Sequence, residues 1–375
     1  MQKEQMQVLL ISRKWPPAVG GMETYSWELS QELKRISSVN LNVRFLPGRK
    51  DGRPPHAIAL AWFIISTAWF LFRNKNKYDV VHFGDMVQIG LACVSRWRSP
   101  DARNVIALHG LDVIYGRRTG LLPGIYRRYL DWARRRDCVD CFIANSRNTA
   151  RLLREQAFKS IAVVPLGVRL VDDHERPAID AIPEDRFVLF FGRVFRRKGP
   201  RWFAEHVLPL LPADVKLTVV GTVWDTDDGE YLEQNSRVRM PGAYPVDISR
   251  DEFEAMKRRA VAIVMPNVKN PDGRDVEGFG LTALEAADHG APLVAADLEG
   301  IRDAVLDGQT GFLVAPEDEK AWANKIQGLL HWSREQRQQF AATSVAALRQ
   351  HYSWARVAAD TVAVYENSKA SIQES

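Results

Sequence analysis

The segment Glu277-Gly278-Phe279-Gly280-Leu281-Thr282-Ala283-Leu284-Glu285-Ala286 sets two carboxylates on either side of a glycine-containing helix start. Glu277 precedes the predicted helix and Glu285 falls on its second turn, so the first-turn amides, from Phe279 to Leu281, form a positive pole suited to a phosphate. With a phosphate there, Glu277 can reach sugar hydroxyls and Glu285 can reach ribose hydroxyls. A helix cap followed by an exposed glutamate would show the same residues without the chemistry.

Cations for such a phosphate stand upstream, where Phe187 to Phe191 runs into Gly192 and Arg193, with Lys198 and Gly199 ahead of a predicted helix. Arg193 supplies a planar fork and Lys198 a point charge, and together they can grip a diphosphate. Arg196 and Arg197 between them read as a solvated basic loop. Near the start, Gly20 and Gly21 occupy a strand-to-helix turn where backbone amides can approach an anion, although an empty tight turn needs the same glycines. His109, in Leu108-His109-Gly110-Leu111-Asp112, and His82, in Val81-His82-Phe83-Gly84-Asp85, both end predicted strands, where a lone histidine is ordinarily structural.

Two patterns imitate metal chemistry. Asp225-Thr226-Asp227 spells a carboxylate pair, but it lies in the polar stretch Trp224 to Glu230 and reads as a solvated acidic turn. Cys138-Val139-Asp140-Cys141 matches C-x-x-C without a second ligand pair, so its cysteines read as structural. No metal site and no cofactor are expected.

Positioning these residues requires strands that end beside them. Short β-branched runs, each followed by a turn and a helical pattern, fall at Val8 to Ser12, Val43 to Leu46, Val80 to Phe83, Val105 to Leu108, Cys141 to Ala144 and Ile161 to Val164. The pattern restarts at Phe187 to Phe191, Leu217 to Val220, Ala262 to Met265, Pro292 to Ala295 and Gly311 to Val314. This alternation predicts an α/β protein of two Rossmann-like, doubly wound parallel-sheet domains, facing each other across a cleft at their strand ends. The boundary is expected after Val168, with a linker from Asp172 to Arg186, giving domains 1–168 and 169–353.

Of 375 residues, 46% are hydrophobic and 26% charged, which suits two separate cores. Residues 1–168 carry 26 Lys and Arg against 13 Asp and Glu, and the remainder carries 25 against 33. Such a basic half attracts anionic membrane, phosphorylated small molecules or nucleic acid, and no nucleic-acid motif favours the last. Three cysteines argue against a disulfide framework, and the apolar run Val8 to Ile11 is too short for a signal peptide, so a reducing, cytoplasmic setting is expected. The uncharged run Ala57 to Phe72 is short for a bilayer span; it reads as a buried or half-buried helix, or as an interfacial one. Arginines from Arg117 to Arg136, interleaved with Leu121, Leu122, Ile125, Tyr129 and Trp132, suit an anionic lipid surface or a phosphorylated acceptor, or else a solvated helix with one core face.

The stretches GGMET, HGLD, GRVFRRKG, EGFGLTALEA, APLVAAD and DGQTGFLV occur in the order seen in the GT-B retaining glycosyltransferases of family 4, which the chain resembles over nearly its whole length. Within that family, DVEGFG preceded by the loop Val268 to Arg274 is similar to the bacterial mannosyltransferases that build phosphatidylinositol mannosides and related lipid-linked glycans. The resemblance implies that Gly20 and Gly21 meet the donor phosphate, Arg193 and Lys198 clamp the diphosphate, and Gly278, Phe279, Gly280 and Leu281 carry the helix pole. It further implies that Glu277 holds the transferred sugar, Glu285 binds ribose, Tyr244 and Val246 flank the base, and His109 donates to a sugar hydroxyl at the anomeric centre. A last helix from about Trp354 to the end would cross back to the first, acceptor-binding domain, while the second binds the nucleotide sugar. The implied partners are a GDP- or UDP-linked sugar, a glycan or lipid-linked acceptor and the inner face of the plasma membrane. A sugar-nucleotide epimerase or a noncatalytic sugar-nucleotide-binding protein would share much of this pattern.

Overall fold

The computed structural model describes residues 5–18, 20–49, 54–170, 185–244 and 246–367. The expected linker lies outside the described residues except for Asp185 and Arg186. The chain divides into two compact units, one running to Leu166 and resuming at Trp354, the other spanning Gly167–Ser353.

Unit 1 contains β1 (Met6–Ser12), α1 (Gly21–Arg35), β2 (Val39–Phe45), α2 (Ala57–Arg73), β3 (Val80–Phe83), α3 (Ile89–Arg98), β4 (Arg103–Leu108), α4 (Leu111–Ile114), α5 (Leu121–Arg136), β5 (Cys141–Ala144), α6 (Arg147–Arg154) and β6 (Ile161–Val163). Its six strands are all parallel in the order β2-β1-β3-β4-β5-β6. Val8 to Ile11 and all of β3 and β5 are buried, as strands covered on both faces must be, which explains their unbroken apolar runs. Strand β2 starts earlier than its apolar run suggests, because Val39 is the parallel partner of Met6.

Unit 2 contains β7 (Phe187–Phe191), α7 (Pro200–Trp202), β8 (Lys216–Val220), α8 (Thr226–Gln234), β9 (Val238–Gly242), α9 (Arg250–Arg259), β10 (Ala262–Met265), α10 (Leu281–Asp288), β11 (Leu293–Ala296), α11 (Ile301–Ala304), β12 (Phe312–Val314), α12 (Glu319–Leu330) and α13 (Arg334–His351). The strands are again parallel, ordered β12-β11-β10-β7-β8-β9, around a core that includes the fully buried Trp322. Strand β9 is absent from the sequence expectations. It contains Pro241 and alternates in burial, and both are tolerated because it lies at the sheet edge. The last helix, α14 (Trp354–Glu366), returns to unit 1 and packs on α1.

Two sequence readings change. Asp225 does not lie in a loop: its carboxylate accepts from the amides of Asp227 and Asp228 and caps α8, so the acidic pair is a helix start. Cys138, read as structural, is joined to Cys93 by a disulfide, since α3 and the turn before β5 bring residues 45 apart in sequence to a Cα separation of 4.9 Å. The cysteine count argued against a disulfide framework, yet this one pair forms, and Cys141 is a buried free thiol. Helix α2 is half-buried, one of the readings its sequence offered: Phe63, Thr67 and Leu71 face inward, while Ile58, Trp62, Ile65 and Trp69 are exposed. Among the described residues, no helix is long and apolar enough to cross a membrane.

His82 shows how α14 is held. It is fully buried on β3 and bonds Tyr365 of α14 at 2.7 Å through Nδ1 and Tyr25 of α1 at 3.2 Å through Nε2. Burial, aided by the neighbouring His109, pushes its pKa down to about 3. The depressed value means that the unfolded chain binds a proton near pH 6.5 that the folded chain refuses until about pH 3, so stability falls as pH drops through this window. The slope approaches about 1.4 kcal/mol per pH unit. Urea unfolding at pH 7 and pH 5 should therefore show wild type losing about 1 to 2 kcal/mol more than His82→Gln; equal losses in the two proteins would remove this account.

Candidate functional site

In unit 2 the strand-end residues converge on one carboxylate. Oε2 of Glu277 accepts from Arg197 Nη1 at 2.9 Å, Lys198 Nζ at 2.5 Å and Asn267 Nδ2 at 3.2 Å. Arg197 and Lys198 lie on the loop after β7, Asn267 follows β10, and Glu277 precedes α10, so the contact joins three loops. Burial alone would raise the Glu277 carboxyl, but Lys198 and Arg197 outweigh it and hold the group down at about 2. Burial lowers the Lys198 ammonium despite the pull of Glu277. Arg197 is 7% exposed and also reaches Asp275, 3.0 Å from its Nε.

The backbone is fixed as well. The Glu277 amide donates to Glu299 Oε2 at 2.5 Å, and its carbonyl accepts from Gly300 N at 3.2 Å. Gly300 has to be glycine here, because a Cβ would fall 2.2 Å from the Gly278 carbonyl oxygen. Gly280 takes φ 101 as the N-cap of α10, a conformation L side chains rarely adopt, and no side chain caps the helix. The first-turn amides therefore form an uncapped positive pole behind the buried Phe279.

The remaining unit 2 candidates line the same sheet end without joining the cluster. The exposed Arg193 lays its guanidinium over Trp224, 4.4 Å from the ring centre. Tyr244 stacks on Phe253 at 4.7 Å, and Phe253 meets Phe191 edge-on; Val246 is exposed beyond them. Glu285 is exposed on α10, and its carbonyl meets His289 Nδ1 at 2.7 Å.

In unit 1 the loops after β1, β3 and β4 carry a second constellation. Asp112 accepts from the amides of His109, Val113 and Met86 at 2.9, 3.1 and 3.1 Å, and Arg13 pairs with the buried Asp85 at 2.7 Å. His109 is half-buried, with its Nε2–H donating to the Gly84 carbonyl at 2.9 Å and its ring edge-on to Tyr25. That bond uses the one N–H of a neutral ring, so a neutral His109 keeps only Nδ1, an acceptor, where the resemblance implies a donor. Gly20 caps α1, and Glu23 in the first turn lies 3.5 Å from Lys14.

Sequence reasoning missed Arg197, Asn267, Asp275 and Glu299. The only available signal was Arg197's place beside Lys198, and solvated arginines share it. Among the described residues, no group of three or more His, Cys, Asp or Glu side chains could hold a metal ion.

Two doubly wound parallel units with a helix returning from the end of the chain to the first define the GT-B class of fold. A structure of Anabaena Alr3699/HepE in complex with UDP matches with a TM-score of 0.67 at 17% identity, covering 96% of this chain and 99% of that one. Residues 185–331 match the model for glycosyl transferases group 1, and residues 19–171 match that for glycosyltransferase family 4. The chain belongs to the family 4 glycosyltransferases, retaining enzymes that move a sugar from a nucleotide sugar. A D-inositol 3-phosphate glycosyltransferase of Xylanimonas cellulosilytica is 29% identical over 318 residues, 78% of this chain and 73% of the relative. A phosphatidyl-myo-inositol mannosyltransferase of Mycobacterium leprae is 30% identical over 230 residues, 58% of this chain and 56% of the relative. With another D-inositol 3-phosphate glycosyltransferase, from Paenarthrobacter aurescens, the match spans 45% of the relative's length.

The geometry separates two arginines that the sequence presents alike. Arg197→Ala removes one partner of a buried ion pair and should cost about 3 kcal/mol or more, whereas Arg193→Ala, at an exposed position, should stay within about 0.5 kcal/mol. Urea midpoints measure both. Equal stability of the two variants would show that Arg197 does not hold the loop.

Proposed function

We propose that this chain transfers a hexosyl group, mannosyl among the candidates, from a GDP- or UDP-linked donor to a glycan or lipid-linked acceptor at the cytoplasmic face of a membrane, in cell-surface polysaccharide or glycolipid synthesis. The observation that carries the reading is the cluster of Arg197 and Lys198 around Glu277 beside the uncapped start of α10. The inositol relatives and the UDP-bound neighbour support the choice of acceptor and donor.

In this reading, unit 2 binds the nucleotide sugar and unit 1 the acceptor. Arg193 and Lys198 grip the diphosphate, the amides from Gly278 to Leu281 face its β-phosphate, and Gly20 and Gly21 offer further backbone contact. Glu277 receives the sugar hydroxyls, Glu285 the ribose hydroxyls, and Tyr244 and Val246 flank the base. The bond from the anomeric carbon to the diphosphate oxygen breaks with its electron pair leaving on the diphosphate. The acceptor oxygen bonds to the same face of that carbon, and its proton passes to a leaving-group oxygen. The cations and the helix pole meet the charge that accumulates on the departing group. His109 stands beside the sugar with Nδ1, and it donates there only when doubly protonated.

A charge-assisted contact of about 1.5 to 3 kcal/mol corresponds to roughly ten- to hundredfold in rate. Lys198→Ala should therefore lower turnover of GDP-mannose or UDP-glucose with a membrane acceptor at least tenfold, and Arg193→Ala should weaken donor binding. Turnover should persist in EDTA. Release of nucleoside diphosphate together with glycosylated lipid supports transfer; epimerised donor without release, or unchanged turnover in both variants, would refute it.

A further inference from the structure

We propose that the outer face of α2, continued by Trp97 at the end of α3, is an anchor that lies in the surface of an anionic lipid bilayer. Ile58, Trp62, Ile65, Trp69 and Phe72 recur at intervals of four and three residues, which puts them in one stripe along the helix. Their exposures run from 86% for Ile58 through 69%, 62% and 59% to 37% for Phe72, and Trp97 is 70% exposed. The stripe is continuous across the two helices, since the rings of Trp69 and Phe72 lie 5.8 Å apart and those of Phe72 and Trp97 5.7 Å apart. Single exposed apolar residues are ordinary on protein surfaces; an unbroken row of large ones with three tryptophans marks a binding face.

The helix cannot turn this face inward. Arg44 of β2 donates to Thr67 Oγ1 at 2.8 Å and to Ser66 Oγ at 2.9 Å, and its guanidinium lies over Phe63 and Phe70. Those contacts pin the opposite side of α2 to the sheet. Seventeen residues without an acidic group give a rod of about 25 Å, long enough to rest along an interface.

Charge decides the occupant. Arg73 covers Trp69, and Arg98 covers both Phe72 and Trp97, its guanidinium 4.3 Å from the centre of the Phe72 ring; Lys75 and Lys77 follow directly. Aromatic rings bracketed by cations match the headgroup region of an anionic leaflet, where rings sit at the boundary and cations meet lipid phosphates. A second copy of this chain docked through the same face would offer these cations no carboxylate, because α2 carries no acidic residue, whereas an anionic leaflet supplies phosphates. The inference rests on the reading of a lipid-linked acceptor, but it specifies the docking element.

The test is flotation of the full chain with vesicles of phosphatidylcholine alone or mixed with phosphatidylglycerol, at low and high salt. Wild type should float with the mixed vesicles and retain a salt-resistant fraction. Trp62→Ser combined with Trp69→Ser should lose that fraction and bind at least tenfold more weakly. Arg73→Ser combined with Arg98→Ser should lose the preference for phosphatidylglycerol while binding residually. Thermal unfolding and donor turnover with a water-soluble acceptor should be unchanged in both, which keeps membrane docking separable from catalysis. Equal flotation of the tryptophan variant and wild type overturns the proposal. So does a wild type that ignores all vesicles and sediments as a dimer that the tryptophan variant disperses.

Discussion

A carboxylate removed from water must be met by cations or hydrogen-bond donors, and the strand ends of unit 2 are organised around that requirement at Glu277. Arg197, Lys198 and Asn267 all converge on one of its oxygens, so loops following β7 and β10 are tied to the residue that leads into α10. The backbone of the same residue is held by Glu299 and Gly300. Glu299 adopts φ 50, a left-handed conformation costing roughly 1 to 2 kcal/mol in a side-chain-bearing residue. The surrounding bonds hold it there, and the start of α10 is placed as a result.

Unit 1 uses the same device with different partners. Asp112 gathers backbone amides from the ends of β3 and β4 and thereby sets the backbone of His109, while Asp85 meets Arg13 from the end of β1. Its carboxylates are largely spent on main-chain donors and fix loop shape. In unit 2 the carboxylate is spent on side-chain cations, so loop shape and local charge are set by one group.

Much of this was legible because parallel strands covered on both faces write themselves as short apolar runs, and glycines mark the turns after them. Ten of the twelve strands among the described residues overlap expected runs closely; β2 begins four residues early, and β9 was missed because an edge strand that alternates in burial and contains Pro241 shows no apolar run, although Gly242 ends it. Glu277 and Lys198 stood out by position. Arg197 did not, because burial of one cation among Arg193, Arg196, Arg197 and Lys198 depends on Asp275 and Glu277, some eighty residues away. The Cys93–Cys138 pair was hidden for a similar reason: the C-x-x-C spacing drew attention to Cys141, while the bonded partner lies on α3. Local spacing reveals which residues share a turn, and only packing reveals which turns meet.

The two cations assigned to a diphosphate are consequently not equivalent. Lys198 is already engaged by Glu277 at 2.5 Å, so an incoming phosphate has to share it, whereas Arg193 rests on the face of Trp224 in an exposed position. A stacked guanidinium keeps its hydrogen-bonding edge available, because the ring contacts its flat face. Under the proposed function, Arg193 meets the donor first and Lys198 follows as sugar hydroxyls donate to Glu277 and compensate the carboxylate for the ammonium it gives up. Glu277 keeps Arg197 and Asn267 as partners in that exchange, which would link sugar recognition at Glu277 to the charge available for the leaving group.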